Sequence, residues 1–275
     1  MIEGRRVVVV TPAGRERYLR VLAPHVLADE SVDEWHLWLN TANEPDLQFM
    51  AALANRYPRV RCVQPPVHKV PDGNNTIGQY FRTACEAGTV YVRLDDDICW
   101  LEPGFFSRLV KERLANPEPL LLYPLIINNS VCTFLLKALG RIIIKLPITS
   151  QCMDGYSWGS GEFAEALHRW FLGLLREGGL EQLRFATVNT AMARVSINCI
   201  SWFGESLHPI RGELPEDWSE EEYLSVVLPL LLGRHNAISG AAIAAHFSFF
   251  TQRERLDSSN VLQEYAALAP AVAMP

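Results

Sequence analysis

Two periodicities alternate through the first hundred residues, and that alternation constrains the fold more than any other feature of the chain. Residues 6–11 form a β-branched run, closed by Pro12-Ala13-Gly14. Residues 16–27 carry apolar side chains at helical spacing, 34–40 read as a second strand, 46–57 as a helix and 60–63 as a third strand. A further helix is predicted over 76–87, closed by Gly88, before a fourth strand over 89–94. Strands and helices alternating at this spacing predict βαβ units, an α/β fold with a mostly parallel sheet flanked by helices. In such sheets ligands bind beyond the carboxyl ends of the strands. That rule puts the Pro12-Ala13-Gly14 turn, the Asn40-Thr41 turn and the triplet Asp95-Asp96-Asp97 at one edge.

The rest of the chain is less regular. Helices are predicted over 105–115, 162–176 and 220–232, a buried strand over 120–127, and an apolar strand-like run over 241–250 that contains His246. No repeat and no linker stand out, so one domain over residues 1–275 is expected. Apolar residues make up 49% and charged residues 20%, a mix that buries a core and excludes a disordered chain. With 25 basic and 31 acidic residues the net charge is −6, which disfavours a nucleic-acid-binding surface. The six cysteines contain no C-x-x-C pair, so a zinc ribbon or redox motif is unsupported. They are expected to be reduced and mostly buried, in a cytoplasmic protein. The N-terminus shows no secretory signal core, and no run of 18 uncharged apolar residues predicts a transmembrane helix.

Three consecutive carboxylates after an apolar strand repel one another and need a partner. A divalent cation is the simplest one. Mg2+ or Mn2+ takes hard oxygen ligands, commonly one or two carboxylates with phosphate oxygens and water. Residues two apart on a strand share a side, so Asp95 and Asp97 are expected on the metal and Asp96 elsewhere. A solvated acidic turn or a helix cap uses the same residues without a metal.

The stretch Gly78-Gln79-Tyr80-Phe81-Arg82, then Ala84, Gly88 and Tyr91-Val92-Arg93-Leu94-Asp95-Asp96-Asp97, resembles the helix and metal motif of GT-A glycosyltransferases. These are nucleotide-sugar-dependent enzymes with an Asp-x-Asp motif, and the likeness is family-2-like. Residues 7–15 resemble the first strand and nucleotide-binding loop of that fold. The resemblance covers residues 5–105 and thins beyond. It departs in carrying three aspartates, and in Arg82-Thr83 where the family has Arg-Asn, so only Arg82 carries over. It implies a nucleotide-sugar-binding half over 1–105 and an acceptor-binding, catalytic half over 106–275.

The resemblance also implies site residues. Thr11, Pro12, Ala13, Gly14 and Arg15 would wrap the nucleoside. Asn40, Arg82, Asp95 and Asp96 would complete the donor site, together with Asn75 from the polar turn Asp72-Gly73-Asn74-Asn75. Arg15 or Arg82 would neutralise diphosphate charge. A carboxylate base is implied in the acidic run 213–222, with Asp217 ahead of Glu221. A late histidine would join Asp95 and Asp97 on the metal. His246 is the leading candidate, with His208 and His235 behind it. Ordinary roles compete with each: acidic residues enrich the first turn of any helix, and a lone histidine on an apolar face commonly belongs to a core.

On the acceptor side, Met153-Asp154-Gly155-Tyr156-Ser157-Trp158-Gly159-Ser160-Gly161 combines aromatics suited to sugar C–H faces with glycines suited to a moving loop, and Trp202 is a further candidate. The same aromatics suit core packing. Lys137, Arg141 and Lys145, four apart among Leu and Ile, would form one basic stripe on a helix. That stripe suits amphipathic packing, or peripheral contact with an anionic membrane carrying a lipid-linked acceptor; residues 142–144 also suit a strand. The expected function is metal-dependent transfer, with Mn2+ or Mg2+, of a sugar from a nucleotide-diphosphate sugar to a hydroxyl of a saccharide or lipid-linked acceptor, with inversion if a base lies in the acidic run and by a retaining route otherwise. Two alternatives stand beside it. A nucleotidyltransferase acting on a sugar phosphate would show a Gly-rich first loop, where this chain has Gly14 alone. A non-catalytic sugar- or nucleotide-binding module would not need three clustered aspartates.

Overall fold

The computed structural model describes residues 1–65 and 74–275, except the side chains of Asn74 and Asn75. Strands β1 (Arg6–Ala13), β2 (Glu34–Leu39), β3 (Val60–Val63), β4 (Thr89–Leu94), β5 (Ile98–Leu101), β6 (Leu122–Ile127), β7 (Val188–Ala191), β8 (Cys199–Phe203) and β9 (Asn236–His246) join one sheet. Its order is β3-β2-β1-β4-β8-β6-β9-β5, with β7 on β9. Around it lie α1 (Glu16–Ala28), α2 (Glu44–Arg56), α3 (Asn74–Ile77), α4 (Phe105–Ala115), α5 (Ser130–Ala138), α6 (Gly161–Arg176), α7 (Glu220–Glu222), α8 (Leu228–Leu231), α9 (Arg253–Asp257) and α10 (Val261–Ala266). This is the expected α/β architecture, a sheet flanked by helices with an irregular second half.

The first four strands pair in parallel, as βαβ units require. Val7 to Val10 are fully buried, covered on both faces of the sheet. The second half enters the sheet differently. β8 runs antiparallel between β4 and β6, while β6 and β9 are parallel and β5 closes the edge antiparallel to β9. Trp202 on β8 is wholly buried. It stacks on Tyr91 with ring centroids 5.5 Å apart and donates to the Ala84 carbonyl at 3.0 Å. It is a core residue and not part of an acceptor surface.

Several element bounds differ from the sequence expectation for local reasons. β1 continues through Pro12 and Ala13, paired with β2 as far as Leu39, whereas its pairing with β4 stops at Val10. Pro12 has no N–H to offer a ladder and sits where one side of the strand is already open. The helix expected over 76–87 is α3 followed by a tighter 3-10 turn, Gly78–Thr83. That turn lets Tyr80 stack on Trp38, centroids 5.3 Å apart, and donate its hydroxyl to the Leu39 carbonyl. The helix expected over 220–232 is α7, a π turn over Tyr223–Val227, and α8. Pro229 cannot donate to the Ser225 carbonyl, so a regular α ladder cannot run through it. The Lys137, Arg141, Lys145 stripe is not helical: α5 stops at Ala138, and Gly140 takes φ +67° just after it. Residues 142–144 are not a strand either. All six cysteines are free.

Candidate active site

At the carboxyl end of β4 the chain turns sharply, the Ile98 amide donating to the Asp95 carbonyl at 3.1 Å. The triplet is therefore a turn rather than a continuing strand, and Asp96 diverges from Asp95 and Asp97. Asp95 accepts from Arg93 Nη2 at 2.8 Å and from Asn198 Nδ2 at 3.2 Å. Asp96 turns toward the end of β1, accepting from the Gly14 amide at 3.1 Å and from the Arg15 guanidinium. Asp97 lies 3.0 Å from Arg15 Nη2 and 3.4 Å from His246 Nε2. β9 brings His246 here. Its last residue pairs with Ile98, and the next amide, Phe247, donates to the Asp97 carbonyl at 2.8 Å.

Asp95, Asp97 and His246 each offer a ligand atom, all within 4.8 Å of one another. The imidazole orientation bears on whether a cation fits. His246 Nδ1 lies 3.2 Å from the Asn128 carbonyl, which only accepts, so Nδ1 carries the proton. In the neutral ring Nε2 is then a lone pair facing the Asp97 carboxylate. Two acceptors this close need a proton or a metal ion between them, the arrangement by which metal-binding histidines are oriented. Two carboxylates and one imidazole suit Mn2+, and Mg2+ less well because of the nitrogen. Asp95, with its side chain 23% exposed, faces the open cleft, and Asp97 and His246 lie behind it.

Charge in this cluster is strongly redistributed. Burial works against ionisation of Asp97, yet Arg15 and His246 hold its pKa below the usual range. Burial likewise opposes the His246 cation, and the Asp97 carboxylate overrides it, raising that pKa. Burial pushes Asp95 up against the pull of Arg93, and pushes Asp96 up to about 6 against Arg15.

The cleft beyond Asp95 has a volume of ≈ 1060 Å³. Arg93, Asn198 and Gln79 line it, as do the aromatic and thioether side chains of Met153, Trp158, Trp218 and Phe250. Trp158 and Phe250 meet edge to face with centroids 5.1 Å apart, and Phe250 is 72% exposed. Glu220 and Glu221 also line the cleft. Glu220 pairs with Arg93 Nη1 at 2.8 Å, and burial pushes its pKa up to about 7 against that pairing. Glu221 accepts from Arg194 Nε at 2.7 Å and from the Cys152 thiol at 3.3 Å.

The remaining sequence candidates fall in different places. Gly14 meets the triplet through Asp96, and Arg15 through both Asp96 and Asp97. Thr11, Pro12 and Ala13 are buried, and the Thr11 hydroxyl accepts from Trp35 Nε1 at 3.0 Å. Asn40 accepts from the Thr76 hydroxyl at 2.7 Å beside the cleft. Arg82 lines an adjoining recess of ≈ 380 Å³, 3.5 Å from Glu213. Asp217 is exposed and does not line the cleft. His208 bonds the Cys85 carbonyl, away from the triplet. Asp72 and Gly73, and the side chain of Asn75, lie outside the described residues. In the 155–161 segment a Cβ on Gly159 would stand 2.5 Å from the Gly155 carbonyl oxygen and one on Gly161 2.5 Å from Arg255 Cβ, whereas Gly155 has open space.

Two asparagine positions escaped the sequence reading. Asn128 takes φ +63° directly after β6, a conformation asparagine tolerates, and this aims its carbonyl at His246. Asn198 holds Asp95 and is itself held by Asn129 at 3.1 Å. Their signal is the Asn128-Asn129 pair closing an apolar strand, the kind of polar break that belongs at a ligand edge.

No family model matches this chain, and no curated protein matches it. Solved structures do. A mannosyltransferase from Pyrobaculum calidifontis, solved with GDP-Man and Mn2+, aligns with a TM-score of 0.54 at 12% identity. The alignment covers 98% of this chain and 66% of that one, so this chain spans just under two thirds of its length. A mycobacterial protein aligns with a TM-score of 0.51 at 16% identity, over 91% of this chain and 70% of that one. The fold is GT-A-like. Identities this low carry the fold and nothing of the reaction.

Proposed function

We propose that the protein is a metal-dependent glycosyltransferase that moves a sugar from a nucleotide-diphosphate sugar to an acceptor hydroxyl with inversion. The observation that carries this reading is the Asp95, Asp97, His246 cluster at the carboxyl edge of β4, opening on a cleft that also holds a carboxylate of near-neutral pKa. The structural likeness to a mannosyltransferase solved with GDP-Man and Mn2+ supports it at the level of fold.

Asp95, Asp97 and His246 would hold Mn2+ or Mg2+, and a cation so held offsets the charge of a departing diphosphate. The protein's own groups supply the rest. Arg15 neutralises Asp96 and Asp97 from behind, keeping the turn closed. Asn129 and Asn198 fix Asp95 toward the cleft. Glu220 is the favoured general base among the acidic residues of this region. Its Oε1 is held by Arg93, and a pKa near 7 lets it accept a proton from an acceptor hydroxyl at neutral pH. Glu221, tied to Arg194, is the second candidate in the same cleft wall. Trp158, Trp218 and Phe250 offer faces for a sugar ring or an apolar aglycone.

Incubation with Mn2+ and a panel of nucleotide sugars, reading released nucleotide diphosphate with and without candidate acceptors, tests the reading. Nucleotide diphosphate release supports it. Release of pyrophosphate from a nucleoside triphosphate and a sugar phosphate would favour a nucleotidyltransferase, and binding without turnover a non-catalytic module.

A further inference from the structure

Away from the cleft, an apolar surface stands beyond the end of α5. The amides of Gly140 and Arg141 turn back to the Lys137 and Leu136 carbonyls at 3.0 and 2.8 Å, with Gly140 at φ +67°. This is the left-handed helix stop that favours glycine, and it throws the following residues outward. The Lys137 ammonium closes the loop by donating to the Leu146 carbonyl at 2.6 Å. At the tip, Ile143 is 91% exposed, flanked by Leu139 at 45% and Leu146 at 39%. Behind the tip a groove of ≈ 560 Å³ separates the loop from Phe163, Leu167 and Trp170 of α6. Exposed aliphatic side chains clustered this way mark a contact surface.

The loop and the chain on either side of it carry charge of one sign. No Asp or Glu occurs between Glu118 and Asp154, while Lys137, Arg141 and Lys145 do, in a chain whose net charge is −6. Among the described residues neither Arg141 nor Lys145 makes an ion pair. We infer that the 139–146 loop docks on an anionic phospholipid surface, with Ile143 entering the acyl boundary and Arg141 and Lys145 meeting headgroup phosphates. A bilayer supplies an apolar layer and a negative plane together, which matches an aliphatic tip between unpaired cations. No helix among the described residues is long and apolar enough to cross a membrane, so the contact is peripheral.

Co-sedimentation of the full chain with vesicles tests this, comparing phosphatidylglycerol mixed into phosphatidylcholine with phosphatidylcholine alone. The protein is expected on the anionic vesicles only, with binding that weakens as salt rises. Each cation near the surface contributes about fivefold in partitioning. Arg141→Glu with Lys145→Glu should therefore weaken binding by more than tenfold. Ile143→Asp should abolish it with the melting temperature unchanged, because that side chain packs on little of the protein. Absence of wild-type binding to anionic vesicles would overturn the proposal and leave the face to a protein partner. Vesicle binding that survives both the double charge reversal and Ile143→Asp would overturn it too.

Discussion

Asp97 stands between two cations, Arg15 and His246, and both bear on how the metal-free site responds to pH. Its pKa is held down, so its stabilisation is present above the ordinary aspartate value of about 3.9 and is lost as pH falls through the folded value. The His246 pKa is raised, so its share is complete below the ordinary value of about 6.5 and is lost as pH rises through the folded value. The two windows overlap between about pH 4 and 6.5. The melting-temperature advantage of wild type over His246→Gln in a chelator should be largest there and shrink toward alkaline pH. Added Mn2+ should reverse the trend, its stabilisation growing toward neutral pH as the imidazole proton leaves. Thermal scans across pH, with and without Mn2+, check both. At Glu220 the expectation concerns turnover. Glu220→Gln should lower kcat about 10²- to 10⁴-fold with donor affinity nearly unchanged, since the base acts on the acceptor. Wild-type turnover should rise with pH through a value near 7, and the variant should lose that limb. Asp217→Asn, exposed outside the cleft lining, should keep near-wild-type rates. Steady-state rates for the two variants settle which carboxylate matters.

The elements of the first half were legible because each carries its own signal, β-branched runs for β1 and β4 and 3.6-residue spacing for α1. The insertion of β8 between β4 and β6 was not, because its partners are distant in sequence and antiparallel pairing leaves no local mark. The same distance hid how Asp95 is held, since Asn198 immediately precedes β8. His246 could be singled out as a residue type in an apolar run, but only the pairing of β9 with β5 places it at Asp97. Asp96 stands apart from Asp95 and Asp97 as alternation predicted, but a turn and not a continuing strand puts it there, and only the fold shows that Gly14 and Arg15 receive it. The seat of β8 depends on Gly204, where a Cβ would stand 2.1 Å from the Glu86 carbonyl oxygen. A backbone neighbour cannot swing aside, so Gly204→Ala should cost about 1–3 kcal/mol or more. Urea unfolding, read as a lower midpoint at unchanged slope, measures that cost.

Across the whole molecule, the sheet collects at one edge residues that the chain spreads from Gly14 to His246. The central claim is that this edge holds a divalent cation on which a nucleotide diphosphate then binds. Titration calorimetry with UDP and GDP, in Mn2+ and in chelator, tests it on wild type and Asp97→Asn. The account predicts that wild type binds one of the two diphosphates in Mn2+ and loses at least tenfold in affinity on chelation, while Asp97→Asn, folded by circular dichroism, shows no metal-dependent binding. Diphosphate binding of equal strength with and without metal in both proteins would contradict it.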